Sequence, residues 1–457
     1  MPKRGSWKTR FGFYLAAIGS ACGLGNLWRF PYVVGENGGG AFVLLYVMFS
    51  LLIGLPLLIG ELMLGKSTHK SILAATHALS GPVRKFVWVG RFAVFTSLVV
   101  LSYYAVISGW VLHFSTQFFV GMLSPQMLME KGRLDLLLSN GWLQMGLASV
   151  HLLLTIVVVL KGVQEGLEKW IGAMMPIFAI LLILLVIKSL SLDSAPQALR
   201  FLLYPDFSKL QLSSPLHAIG HVCFTLSVGF GTMVTFGSYL RDGDHIPTAG
   251  FRVAIVDTML SLFAGLLLFP IVLQASNIPL TDPGLLFEAL PRFLLQMPGG
   301  VAFGFAFFVC LYLAALGASI GLLEVIVSNV VDRTKISRVA ATWLSGAVAL
   351  FLGALPALSS TTFKFLRIEG KSLLEILDGF LINVFLPLIA LGIAWAVRKG
   401  LNKQEQEKIF VDQNKIESVA LYPHWRMVMT WVIPLMIAFA FFLQILALVK
   451  GIETLGF

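Results

Sequence analysis

Residues 19–31 read GSACGLGNLWRFP. They fall inside the first apolar run long enough to cross a membrane, residues 11–34. Three glycines, an asparagine, an arginine and a proline are residues that a lipid-facing helix tolerates badly. In hydrocarbon, a backbone group that loses its helical partner costs several kcal/mol, so a break must be buried in protein or face a watery cavity. A second interruption, TLSVGFGTM (225–233), lies in the sixth apolar run, residues 214–240. Two glycine-interrupted spans in matching places of two halves are the sequence sign of an inverted-repeat transporter. At such a break the freed amides, with a half-helix N-terminus, suit a carboxylate, and the freed carbonyls suit a cation.

The rest of the chain fits a bilayer. Of 457 residues, 57% are hydrophobic and 12% charged, against about 25% charged in soluble domains. Eleven apolar runs are long enough to span, at 11–34, 40–64, 92–119, 143–160, 170–188, 214–240, 252–276, 299–330, 339–355, 374–397 and 427–449. The net charge of +10 is scattered between these runs, so nucleic acid is not an expected partner. With the N-terminus inside, the inner segments hold 22 Lys and Arg and the outer segments ten. The positive-inside rule then predicts a cytoplasmic N-terminus, and eleven spans put the C-terminus outside. The expected location is the plasma membrane, the inner membrane of a bacterium. The first run continues into GLGN and RFP with no small-residue cleavage site, so it reads as a retained span. Cys22, Cys223 and Cys310 are far apart inside spans, with neither metal-ligand nor disulfide spacing. The eight histidines form no cluster at one membrane face, which argues against a membrane enzyme. The polar stretch from Arg398, RKGLNKQEQEKIFVDQNKIE, reads as an amphipathic connector.

GLGNLWRFPYVVGENGGGAF (23–42), SYYAVISGW (102–110) and FTLSVGFG (224–231) resemble the signatures of the neurotransmitter:sodium symporter family. Its bacterial members are mainly amino-acid transporters with the leucine-transporter fold. A nucleotide-binding reading of GLGNLW fails, because the third glycine and a strand–helix–strand context are missing. The resemblance runs along essentially the whole chain. It implies an all-α integral membrane fold of about 11 transmembrane helices, with helices 1 and 6 discontinuous. Residues 1–190 would form the first five-helix repeat, 191–397 the second, inverted one, and 398–457 the connector and an extra helix, all in a single transporter domain. The implied activity is symport: a neutral, hydrophobic amino acid imported by alternating access on a sodium gradient. The resemblance implies one sodium ion, no organic cofactor and a monomer or weak dimer. Two alternatives stay open: a proton-coupled or ion-independent transporter, or a binding-only sensor on the same fold.

Carried over residue by residue, the resemblance assigns the site. Amides around Cys22, Gly23, Leu24 and Gly25 would hold the substrate carboxylate, with the Tyr104 hydroxyl. Gly23 stands where monoamine carriers have aspartate, which favours an amino acid. Carbonyls of Ser20, Phe224 and Thr225, with the Ser227 hydroxyl nearby, would receive the amino group. Val100, Ile107, Phe224, Phe230, Ala318 and Leu322 would line the side-chain pocket. The first sodium site would comprise the Ala21 carbonyl, Asn26, Thr225 and Asp257, with oxygen ligands as a hard cation requires. Asp257, where relatives often have asparagine, is expected to replace the chloride that others bind near the positions of Tyr46, Ser227 and Ser261. The second sodium site keeps the carbonyls of Gly19, Cys22 and Ala314, but Gly317 and Ala318 stand where the family supplies side-chain oxygens. A register shift would bring in Ser319 instead. His221 replaces the usual glutamine; it is either a neutral hydrogen-bonding group or, with Asp257, part of a proton path. Arg29 and Asp378 would gate the outside, bridged by water, above Tyr104 and Phe230. Arg4 and Asp332 would latch the inside under Trp7 and Tyr239. Glu61 is expected to accept from amides of the broken sixth span, and Glu324 to face the cytoplasmic vestibule.

Overall fold

The computed structural model describes residues 5–81, 84–124, 134–241, 243–274, 286–367, 371–411 and 416–450. Arg4 lies outside the described residues. The architecture is all-helical. Among the described residues, nine helices are long and apolar enough to cross a membrane. They are Gly40–Thr68, Val87–Leu123, Gly141–Leu160, Val163–Leu190, Ile246–Gln274, Gly300–Arg333, Arg338–Leu358, Leu373–Gly400 and Val419–Val449. Several begin well before their apolar run. Arg252, for example, lies on the helix that opens at Ile246, with its guanidinium over the Tyr14 ring at 5.1 Å. Long basic side chains can cover apolar surface while keeping their charge at its edge.

The two glycine-interrupted runs are the exceptions to continuous helix. In the first, Arg10–Ala21 starts at an N-cap, Thr9, whose hydroxyl accepts from the Gly12 amide at 2.9 Å. It stops at Cys22, which is extended, and helix resumes in a wide π-turn at Gly25–Arg29 that leads into Phe30–Glu36. Pro31 falls in the first turn of that last segment, where proline is best accepted. In the second run, Ser214–Thr225 ends before an irregular stretch and Thr232–Gly237 follows. Ser227, Gly229 and Gly231 all have positive φ there, so the chain turns in a way no helix allows. The expectation for Glu61 agrees with what is seen: its Oε1 accepts from the Gly229 amide at 2.6 Å.

Both breaks are wrapped by the two longest helices. The middle of Gly300–Arg333 is buried without interruption from Ala314 to Asn329, and the middle of Val87–Leu123 from Val100 to Gly109. Stripes of this kind face protein all round rather than lipid. The last helix is the opposite case, with an outer face of exposed Leu435, Phe439 and Phe442. The molecule therefore has a dry periphery of apolar side chains and a polar seam along its two broken helices.

Candidate substrate and cation site

The seam begins with the amides that the first break frees. Gly23 N–H donates to Asn26 Oδ1 at 3.2 Å, and Leu24 N–H donates to the Tyr104 hydroxyl at 2.8 Å. A Cβ on Gly23 would stand 2.5 Å from that hydroxyl and 2.9 Å from the Ala318 Cβ. An aspartate at this position would require Tyr104 and Ala318 to shift. Val100, Ile107, Phe230, Ala318 and Leu322 are buried and Phe224 half-buried, and the Phe224 and Phe230 rings lie 6.1 Å apart. The Ser227 hydroxyl donates to the Ser20 carbonyl at 3.0 Å and so joins the two breaks directly.

Beside the amides is a cluster of oxygen atoms. Asn26 Nδ2 donates to Asp257 Oδ1 at 2.8 Å and to Ser261 Oγ at 2.9 Å, and Ser261 also bonds the Tyr46 hydroxyl at 2.9 Å. The Thr225 and Tyr46 hydroxyls lie next to the Asp257 carboxyl. Asp257 is fully buried, yet its Oδ2 makes no hydrogen bond of good geometry among the described residues. A buried carboxylate with one oxygen incompletely bonded carries a desolvation cost that its neighbours offset only in part. Oxygen donors and this orphan atom together fit a sodium ion.

The second cation position is different. A Cβ on Gly317 would stand 2.6 Å from the Gly19 carbonyl oxygen. The carbonyl occupies the space that a side chain at 317 would need. The register alternative is overturned as well. Ser319 Oγ lies 2.8 Å from His151 Nε2, on another face of the helix. Successive helical residues point about 100° apart, so 319 cannot share the direction of 317 or 318.

His221 does not meet Asp257 in a hydrogen bond. Its Nδ1 lies 3.3 Å from Arg29 Nη1, and since arginine can only donate, the ring nitrogen accepts. The ring packs against Phe30 and Tyr46, with centroids 5.5 and 5.3 Å away. Arg29 also donates from Nε to Asp378 Oδ2 at 3.1 Å and from Nη2 to Asn383 Oδ1 at 3.0 Å. Tyr103 completes the group by donating to Asp378 Oδ1 at 3.1 Å. Arg29 and Asp378 therefore form a direct, buried ion pair rather than a pair bridged by water. Above it is a cavity of about 230 Å³ lined by Trp28, Tyr32, Glu36 and Lys371 among others. Tyr103, Asn383 and the Arg29–His221 contact were not foreseen; the one signal for them was polarity inside spans.

On the inner side, Trp7 is buried and held at both ends. Its backbone N–H donates to the Tyr239 carbonyl at 3.1 Å and its ring N–H to the Phe236 carbonyl at 3.0 Å. Asp332 Oδ2 accepts from the Ser71 amide at 2.8 Å. Glu324 does not face an open vestibule. It is fully buried, accepts from the Tyr239 hydroxyl at 2.7 Å, and pairs with both terminal nitrogens of Arg338.

Three comparisons bear on this arrangement. The family model described as the sodium:neurotransmitter symporter family matches residues 4–127 and 127–454. The uncharacterized sodium-dependent transporter YhdH of Bacillus subtilis (strain 168) is 34% identical over 95% of this chain and 96% of its own length. The sodium-dependent serotonin transporter of Drosophila melanogaster is 27% identical over 97% of this chain and 76% of its own. Among solved structures, that of MhsT in complex with L-phenylalanine superposes with a TM-score of 0.87 at 32% identity, covering 96% of this chain and 99% of that one.

Proposed function

The chain belongs to the sodium:neurotransmitter symporter family, and from that premise we propose that it imports a neutral, hydrophobic amino acid together with one sodium ion. It is a multi-pass membrane protein of a transporter family, not of an enzyme family. The observation that carries the proposal is the buried Asp257 oxygen without a hydrogen bond of good geometry, set beside Asn26 and the Gly23 and Leu24 amides of the first break. The substrate's carboxylate would sit on those amides with Tyr104, and its amino group against the Ser20, Phe224 and Thr225 carbonyls. Val100, Ile107, Phe224, Phe230, Ala318 and Leu322 would enclose an uncharged side chain. MhsT is in complex with L-phenylalanine, an amino acid with an uncharged, apolar side chain.

Cation and carboxylate would share Asn26 and Thr225, so each raises the affinity of the other by the same factor. The Gly19–Gly317 approach supports a single sodium per substrate. Asp257 supplies a fixed negative charge where a chloride would otherwise balance the cation, so transport should not require chloride. The spans at 11–34, 40–64, 214–240 and 252–276 would rock against the rest of the molecule, with the outer gate of Arg29 and Asp378 and the inner one of Trp7, Tyr239 and Asp332 opening in turn. Arg4 would join the inner gate. The Lys and Arg distribution supports a cytoplasmic N-terminus.

The test is uptake of radiolabelled amino acids into proteoliposomes. An inward sodium gradient should drive accumulation of large apolar amino acids, with a Hill coefficient for sodium of about 1, and gluconate in place of chloride should change nothing. Asp257→Ala should abolish sodium-dependent binding. Accumulation driven by a pH gradient without sodium, or sodium dependence retained by Asp257→Ala, would overturn the reading. Binding without counterflow exchange would make the protein a sensor.

A further inference from the structure

A second cavity, of about 450 Å³, opens where the helix Leu373–Gly400 ends and Val419–Val449 begins. The transport reading makes no use of it. Arg398, Lys403 and Arg426 converge on its wall from three successive segments, with the single carboxylate of Glu407. Arg398 and Arg426 are half-buried, and neither has an ion-pair or hydrogen-bond partner among the described residues. Glu407 pairs with none of the three. Arg398 does lie over the Trp431 ring, 5.9 Å from its centroid, which holds the guanidinium at the cavity without neutralising it. Partly desolvated guanidinium groups normally take a carboxylate or phosphate partner.

What lies beside the cavity narrows the ligand. Met427, Trp431, Leu435, Phe439 and Phe442 are all exposed. Their spacing of four and three places them on one face of the last helix. They form an apolar track that starts at the cations and runs into the hydrocarbon. This boundary of the membrane is also the one with the excess of Lys and Arg, where anionic headgroups gather.

We propose that the cavity binds the headgroup of an anionic phospholipid. The phosphodiester would bridge Arg398 and Arg426, Lys403 would face a further polar group at the mouth, and an acyl chain would follow the track from Met427 to Phe442. The lipid would thereby tie the connector Lys403–Phe410 to the two helices it joins. This site depends on where the last two helices sit in the bilayer and not on the substrate reading.

The full-length protein would be reconstituted in nanodiscs of phosphatidylcholine doped with phosphatidylglycerol, and bound lipid read by native mass spectrometry. The protein should retain phosphatidylglycerol, and the double variant Arg398→Gln, Arg426→Gln should retain roughly tenfold less. Lys408→Gln, on the connector but off the cavity wall, should behave as the unaltered protein. The charge-keeping pair Arg398→Lys, Arg426→Lys separates loss of the site from loss of folding, since it should retain an intermediate amount. Sodium-dependent substrate binding by the Gln pair would show that it folds. Equal retention by the Gln pair and the unaltered protein overturns the proposal. A thermal shift with inorganic phosphate in lipid-free detergent, lost in the Gln pair, would assign the cavity to a free phosphate and overturn the lipid reading.

Discussion

Gly23 leaves no room for a Cβ, with the Tyr104 hydroxyl 2.5 Å from that point. Gly23→Asp should therefore abolish binding of a neutral amino acid without conferring binding of a monoamine, because Tyr104 must move first; scintillation proximity binding with both ligands checks it. His221 acts through Arg29. Its Nδ1 accepts one of the buried guanidinium N–H groups. Leaving such a donor unsatisfied costs about 1–3 kcal/mol. His221→Leu should weaken substrate binding about tenfold, by loosening the outer gate, while His221→Gln, which keeps an acceptor, should stay near the unaltered value. Equal loss in both variants would show that ring packing on Phe30 and Tyr46 matters, and not the hydrogen bond. The motif residues Asn26 and Tyr104 could be read from the sequence because their neighbours in the chain identify them. Tyr103 and Asn383 could not, since their partners lie 275 and 354 residues away.

At the scale of elements, the proposal of a single sodium ion rests on the close approach of Arg10–Ala21 to Gly300–Arg333. Gly317 lets the Gly19 carbonyl come within 2.6 Å of the place of a Cβ, and Gly321 does the same for the Ser20 hydroxyl at 2.1 Å. Restoring a side-chain ligand should therefore fail. Gly317→Thr overpacks this contact, and overpacking typically costs about 1–3 kcal/mol. The variant should show a lowered thermal midpoint and an unchanged sodium Hill coefficient in uptake assays. A coefficient that rises toward two would mean that the helices can separate and that the second site is only dormant. The loss of the two side-chain oxygens was evident in LAALGASIG (313–321). That backbone fills the space they left was not, because the sequence does not say how closely two helices pack.

Across the whole molecule, both ends of the permeation path are shut by groups brought together from distant spans. The inner closure extends beyond Trp7 and Tyr239 to the Glu324–Arg338 pair, which ties the long central helix to the next one. Removing one member of a buried pair leaves the other charge uncompensated. Arg338→Ala should therefore favour the inward-open state, and the native Cys22, buried in the closed molecule, should react faster with a membrane-impermeant thiol reagent applied from the cytoplasmic side. An unchanged labelling rate would place Arg338 outside the gate. The sequence by itself determined the membrane setting and the two breaks, and placed Asn26 and Asp257 inside spans. Hydrocarbon offers no hydrogen-bond partners, so every polar residue and every glycine break within a span is a local constraint visible in the chain. Only the tertiary structure decided which polar groups pair: His221 with Arg29, Ser319 with His151, Glu324 with Arg338, and the Gly19 carbonyl against Gly317. Those choices follow from the rotation and separation of helices. One residue along a helix turns its side chain by about 100°, so neighbours in sequence face different partners that are far away in the chain.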